Sequence, residues 1–188
     1  MEQEQPGIKK LKYINMFGFA NNELVTMTRR YPKLKQKVLV RDSKISMKLI
    51  QAWDINHDSV QLLQIFLKNK DNLSDERYWE LLRTVWILTG KLDNSNLFRQ
   101  LMQSPRKEKY YFSTPEEAKI LRDLPDSFDV YRATNNNNDG GISWTLSKEY
   151  AKKYYDMFDK CMIITKTVKK ENVFAYINRN NESEILIL

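Results

Sequence analysis

The chain has 188 residues, a formal net charge of +7 and 41% hydrophobic residues, enough for one domain, or a small domain with an appendage, around a sizeable core. No apolar stretch approaches the ~20 residues that span a bilayer, and the acidic, polar start Met1-Glu2-Gln3-Glu4-Gln5 is unlike a secretory signal. One cysteine, Cys161, and one histidine, His57, exclude an intrachain disulfide and an ordinary cysteine- or histidine-based metal cage. The expectation is a soluble, intracellular, cytoplasmic protein with no metal site and no membrane partner. Basic residues cluster at Lys9-Lys10-Lys12, at Arg29-Arg30-Lys33-Lys35-Lys37 and at Lys166-Lys169-Lys170. An acidic partner would suit them, but no aromatic residues interleave with the lysines as a stacking platform requires. A solvated surface is the simpler account.

Residues 1–125 read as helical. Short helices are expected around Asn22–Arg30 and Ile45–Trp53, and another from Ser59 to Leu67. Ser74 can cap a helix ending near Thr89, with Asp75 and Glu76 in its first turn and Gly90 as its stop. A weaker helix is expected at Asn96–Met102. Thr114-Pro115-Glu116-Glu117 is a strong helix start, with Thr114 as cap, Pro115 at the first helical position and Glu117 closing a capping box.

The pattern changes after Pro125. Phe128–Arg132 and Ile142–Leu146 alternate as strands, joined by the hairpin-like Asn135-Asn136-Asn137-Asn138-Asp139-Gly140-Gly141. Ser147 caps a helix through Phe158, with Tyr150, Ala151, Tyr154 and Phe158 on one stripe. Met162–Val168, Val173–Ile177 and Glu184–Leu188 follow as strands. Helices first and strands later predict an α+β fold, divided as 1–125 and 126–188 within one compact unit. No glycine-rich phosphate loop occurs, so a classical dinucleotide fold and a P-loop are unsupported.

Three strands carry chemistry: Arg132 after the first, Ser143-Trp144-Thr145 in the second and Glu182-Ser183-Glu184 leading into the last. A cation, paired hydroxyls and paired carboxylates suit a ligand that is anionic at one end. Splitting the nicotinamide bond of NAD leaves a ribose with oxocarbenium character, which a carboxylate stabilises. The diphosphate needs a cation, and arginine's planar fork matches it. Carboxylates at i and i+2 of a regular strand face the same side, so Glu182 and Glu184 are expected side by side, unless residue 182 lies in the loop before the strand, where alternation does not hold.

In that order these motifs resemble the arginine–serine–glutamate class of the NAD-dependent mono-ADP-ribosyltransferases, over about residues 128–188. The resemblance implies a helical region packed on a small split β-sandwich, with NAD as co-substrate in the cleft. It implies that Arg132 binds the NAD phosphates or adjoining ribose, and that Ser143 orients the catalytic glutamate and ribose with Thr145 in support. Glu184 would be the catalytic carboxylate. Glu182 would activate or position an acceptor, its glutamate resembling the arginine-modifying subgroup. Trp144 is bulkier than the usual small residue at the middle of the serine motif.

Of the remaining residues, Trp144, Tyr131, Tyr150 and Tyr154 are expected in the core. Cys161 is expected as a small buried hydrophobe and His57 as a surface turn residue. The composition and size resemble phage or intracellular bacterial effectors of this family, which disable host or defence machinery. The acceptor is expected to be a macromolecule, protein rather than nucleic acid. Two rivals stand beside this reading: a non-enzymatic inhibitor or adaptor with a degenerate transferase fold on an acidic partner, and an NAD glycohydrolase with water as acceptor.

Overall fold

The structure is a computed structural model. It describes residues 33–89, 94–135, 140–158, 160, 162–179 and 182–188. The expected helix at 22–30, the stop at Gly90, Asn136 to Asp139 of the loop, and Cys161 lie outside them. The fold is α+β, and it divides into two units: Met1–Asp93 with Arg106–Phe112, and Asn94–Pro105 with Ser113–Leu188. Two helices that the sequence groups with the N-terminal half therefore belong with the strands. Among the described residues no helix is long and apolar enough to cross a membrane.

The first unit is helical: α1 (Lys33–Asn56), α2 (Ser59–Asn69) and α3 (Asp75–Thr89). The expected short helix at Ile45–Trp53 is the inner half of α1, where Ile45, Leu49 and Ala52 recur at helical spacing and are buried. Asp58 caps α2, which starts at Ser59 as expected, by accepting from the amides of Val60 and Gln61. His57 is exposed in the preceding turn, as expected, with φ 47°. Ser74 caps α3, its hydroxyl accepting from the Arg77 amide at 3.3 Å and donating to the buried Asp42 of α1 at 2.6 Å. Arg106 closes the unit by donating to Asp75 Oδ1 at 2.8 Å and to the carbonyls of Leu73 and Lys70.

The second unit holds α4 (Ser95–Met102), α5 (Pro115–Asp123), α6 (Lys148–Met157) and strands β1 (Ser127–Thr134), β2 (Ser143–Thr145), β3 (Met162–Lys169), β4 (Val173–Ile177) and β5 (Glu184–Ile187). The described strands form one antiparallel sheet in the order β3-β1-β2-β5-β4. It has a seam. β1 pairs with β3 through eight residues, but with β2 only through Tyr131 and Thr145.

One face of the sheet is apolar. Val130, Trp144, Val168, Tyr176 and Ile185 form a buried cluster, with Leu121 and Leu124 packed against it. Trp144 is thus a core residue, as alternation within β2 requires. The expected capping box forms at the start of α5: Glu117 accepts from the Thr114 amide at 2.9 Å, and Thr114 accepts from the Glu117 amide at 3.2 Å. The other end of α5 is held by the Lys170 ammonium, which donates to the carbonyls of Arg122 and Leu124. The aromatic stripe of α6 departs from expectation. Ala151 is buried, but Tyr154 and Phe158 are 41% and 46% exposed and pack on each other. Ala151 is the residue of the helix that is buried, and the far aromatics of the helix meet solvent.

Glu117 does more than cap. It is 4% exposed, and its second oxygen accepts from the Asn178 amide at 3.1 Å, tying α5 to the turn after β4. Glu117→Ala is expected to destabilise the second unit by about 1–3 kcal/mol, since it removes a cap and leaves a second amide unsatisfied. Faster hydrogen exchange at the Asn178 amide, together with a lower urea midpoint for the sheet, checks this.

Candidate active site

Register brings the hydroxyl motif to the carboxylate. Thr145 lies opposite Glu184 and Ser143 opposite Leu186, so all four side chains share one face. Ser143 is diagonal to Glu184, and its hydroxyl donates to Glu184 Oε1 at 2.6 Å. Glu184 is 1% exposed. A carboxylate so enclosed is stable only with polar partners, and a charge-assisted bond of this length is a strong one. Thr145 is also buried. Its hydroxyl donates to the Glu182 carbonyl at 2.6 Å and accepts from the Ser147 amide at 3.0 Å, fixing the approach to β5 and the start of α6 together.

Arg132 reaches the same place from the other side of the seam. By alternation it leaves β1 on the face of Val130, opposite to Tyr131. Its Nη1 nonetheless makes a long, 3.5 Å hydrogen bond to the Ser143 carbonyl. Gly141 is the reason. A Cβ there would coincide with the Arg132 guanidinium, so only glycine leaves room for it. Two bonds hold this turn in place: Trp144 Nε1 donates to the Gly141 carbonyl at 2.9 Å, and Arg99 of α4 donates to the Gly140 carbonyl at 2.9 Å. Ser143 therefore joins cation and carboxylate, through its carbonyl and its hydroxyl respectively.

Glu182 does not sit as a strand pair with Glu184. It precedes β5, and Ser183 between them has φ 50°, a left-handed conformation that breaks the alternation. Its carboxylate instead accepts from Arg179 Nε at 3.1 Å and is only 15% exposed. Tyr150 lies beside it. Burial first, and then the Glu182 carboxylate, push the Tyr150 phenol above its ordinary value of 10.0, while Arg179 pulls it back. Tyr150 is thus a half-buried neighbour of the Glu182 carboxylate, not a core residue. Tyr131 is half-buried on the Thr145 face, as its pairing shows.

Of the five residues singled out in the sequence, Ser143, Thr145 and Glu184 share one face of the sheet, Arg132 reaches the Ser143 carbonyl from the other face, and the Glu182 carboxylate turns to Arg179 instead. Gly141, Arg179 and Tyr150 were missed. A glycine two residues before the serine, and an arginine one turn before the first glutamate, were the available signals. Among the described residues no group of three or more His, Cys, Asp or Glu side chains is placed to hold a metal ion. Compared with protein-family models, with curated proteins and with solved structures, the chain matches none.

The Glu182–Tyr150 contact has a direct readout. In chain labelled at the tyrosine ring, Glu182→Gln is expected to lower the Tyr150 pKa, because a charge that opposes ionisation is gone. It should stay above the ordinary value, because burial is the larger cause. An unmoved titration would separate the two side chains.

Proposed function

We propose that the chain is an NAD-dependent mono-ADP-ribosyltransferase of the arginine–serine–glutamate class. The observation that carries the reading is the 2.6 Å bond from the Ser143 hydroxyl to the enclosed Glu184 carboxylate, with the Arg132 guanidinium at the carbonyl of the same serine. Arg132 would bind the NAD diphosphate through its planar fork. Ser143 would fix one oxygen of Glu184, leaving the carboxylate oriented toward the ribose. As the C1′–nicotinamide bond lengthens, the fixed negative charge would stabilise the developing cation in a water-poor setting. At 1% exposure, Glu184 meets a ribose only once the groups covering it swing aside. The split-sandwich class of the fold belongs to this proposal as well. The seam between β1 and β2 supports it, since the cation and the hydroxyl–carboxylate pair lie on opposite sides of one weak join. The acceptor would be a macromolecule, with protein arginine favoured by a glutamate at position 182.

A second reading, NAD glycohydrolase, is favoured by one observation: Glu182 already holds Arg179, so an incoming acceptor has to compete for it. Incubation with labelled NAD and a cell lysate, followed by protease or nuclease, separates the two. Label on a protease-sensitive product supports transfer. Nicotinamide release with no labelled macromolecule supports hydrolysis, and no release at all leaves the adaptor reading.

Two substitutions test the assignments. Glu184→Gln is expected to lower nicotinamide release by ~10²–10³ or more with the fold retained; a purified variant with wild-type release would remove Glu184 from catalysis. Gly141→Ala is expected to keep the fold, because the guanidinium that its Cβ displaces ends a flexible side chain. NAD affinity should fall roughly tenfold or more, the worth of a hydrogen bond to a charged group. Calorimetric titration beside Arg132→Lys checks this, and equal affinity in both variants and wild type would leave Arg132 a surface charge.

A further inference from the structure

Beside the three basic clusters of the sequence stands a further basic run, Arg106-Lys107-Glu108-Lys109, which leads straight into Tyr110-Tyr111. The segment belongs to the first unit, and both its ends are fixed there. Arg106 is bonded to Asp75 and lies 4.7 Å from the centre of the Tyr78 ring. The Lys107 amide donates to Asp75 Oδ2 at 3.2 Å, and the Lys107 carbonyl accepts from Trp79 Nε1 at 2.6 Å. At the other end Phe112 is buried. Between these anchors Glu108 takes φ 62°, a left-handed conformation uncommon outside glycine, and the Tyr111 amide closes the turn on the Glu108 carbonyl at 3.0 Å. Tyr110 is thereby turned outward. It is 68% exposed, and its ring stacks on Tyr111 with centroids 4.6 Å apart and planes 30° apart. Its hydroxyl donates to the Glu108 carboxylate, which comes first among the causes that push this phenol well above its ordinary value of 10.0. At that exposure the ring adds little to the core, yet it is held in a set orientation.

We propose that Tyr110 is a stacking platform for single-stranded nucleic acid, with Lys107 and Lys109 meeting the phosphates beside the stacked base. The proposal concerns the helical unit and does not depend on the transferase reading. Tyr111 covers one face of the Tyr110 ring, and the other is left to solvent. An open aromatic face takes any base, because every base has a π-face of its own. A duplex shows only the edges of its bases, so a single strand fits and a duplex does not. The charges agree with this partner. Arg106 is committed to Asp75, so Lys107 and Lys109 are the cations of the run that face outward, both exposed, one on each side of Glu108. The Glu108 carboxylate is engaged by the Tyr110 hydroxyl, where it steadies the ring. An acidic peptide would satisfy the two lysines but would leave the ring without a partner. Because the platform is already ordered by its anchors, a bound strand has little side-chain freedom left to freeze on this side of the contact.

The experiment follows the fluorescence anisotropy of a labelled oligouridylate, an oligothymidylate and a duplex of the same length, each titrated with the purified full chain over a series of salt concentrations. The expected result is that the single strands bind more tightly than the duplex; the tighter of the two single strands identifies the sugar. Tyr110→Ala should weaken single-strand binding about tenfold while melting as the wild type does, and Tyr110→Phe, which keeps the ring, should bind as the wild type. Replacing Lys107 and Lys109 by glutamine should lower the salt dependence of the affinity by about 0.7 per lysine in the logarithmic slope. Single-strand binding that Tyr110→Ala leaves unchanged, or a duplex bound as tightly as the single strands, overturns the proposal, because charge alone would then account for the affinity. An equal loss in Tyr110→Phe and Tyr110→Ala also overturns it, since the hydroxyl and not the ring would be in use. So does displacement of the oligonucleotide by poly-glutamate in wild type and Tyr110→Ala alike, which would mark the surface as one for an acidic protein, and so does an absence of binding at low salt.

Discussion

A carboxylate enclosed to 1% exposure sets the terms for the sheet around it. Unpartnered, such a charge would be driven to neutralise or to drag water inward. Ser143 satisfies one of the carboxylate's two oxygens, Oε1, and it can do so only in one register. Three consecutive pairs between β2 and β5 put Ser143 diagonal to Glu184, and a slip of one residue would send every side chain to the wrong face. The register is in turn guarded from the apolar side, where Trp144 and Ile185 pair and pack in the same cluster. Core and site are therefore the two faces of one short strand.

The same economy extends to the cation. Trp144 fills the core with its ring and fixes the Gly141 carbonyl with its indole N–H. That turn has no Cβ at the position the Arg132 guanidinium takes up. Thr145 anchors both the segment before β5 and the start of α6. Most of the residues that shape the site are thus also residues that hold the unit together.

Local rules made much of this legible. Thr114, Pro115 and Glu117 specify a helix start through bonds within four residues, and those bonds form. Ser147 likewise caps its helix through the Tyr150 amide. Alternation put Ser143 and Thr145 on one face and Trp144 on the other. The failures share a cause, which is reliance on periodicity where the backbone departs from it. Ser183 adopts φ 50°, so counting by twos from Glu184 misplaces the Glu182 carboxylate, and the alternative of a loop before the strand is the one that holds. Tyr154 follows the helical stripe of α6, yet is exposed while Ala151 of the same stripe is buried. Partnerships across long separations were out of reach altogether: the second bond of Glu117, to Asn178, spans 61 residues and leaves no mark in either local pattern.

The seam between β1 and β2 gives this sheet an unusual mechanics. Eight pairs make β1 and β3 a stiff ribbon, and β2, β5 and β4 are joined on the other side, but a single pair couples the two ribbons. Most of the bending compliance of the sheet is then concentrated on one line, as in a scored card. The positive group travels with one panel and the hydroxyl and carboxylate with the other. A small change of dihedral angle between the panels would alter the spacing of opposite charges without breaking either ribbon, so what resists it is the apolar cluster that both panels share, not the strand pairing.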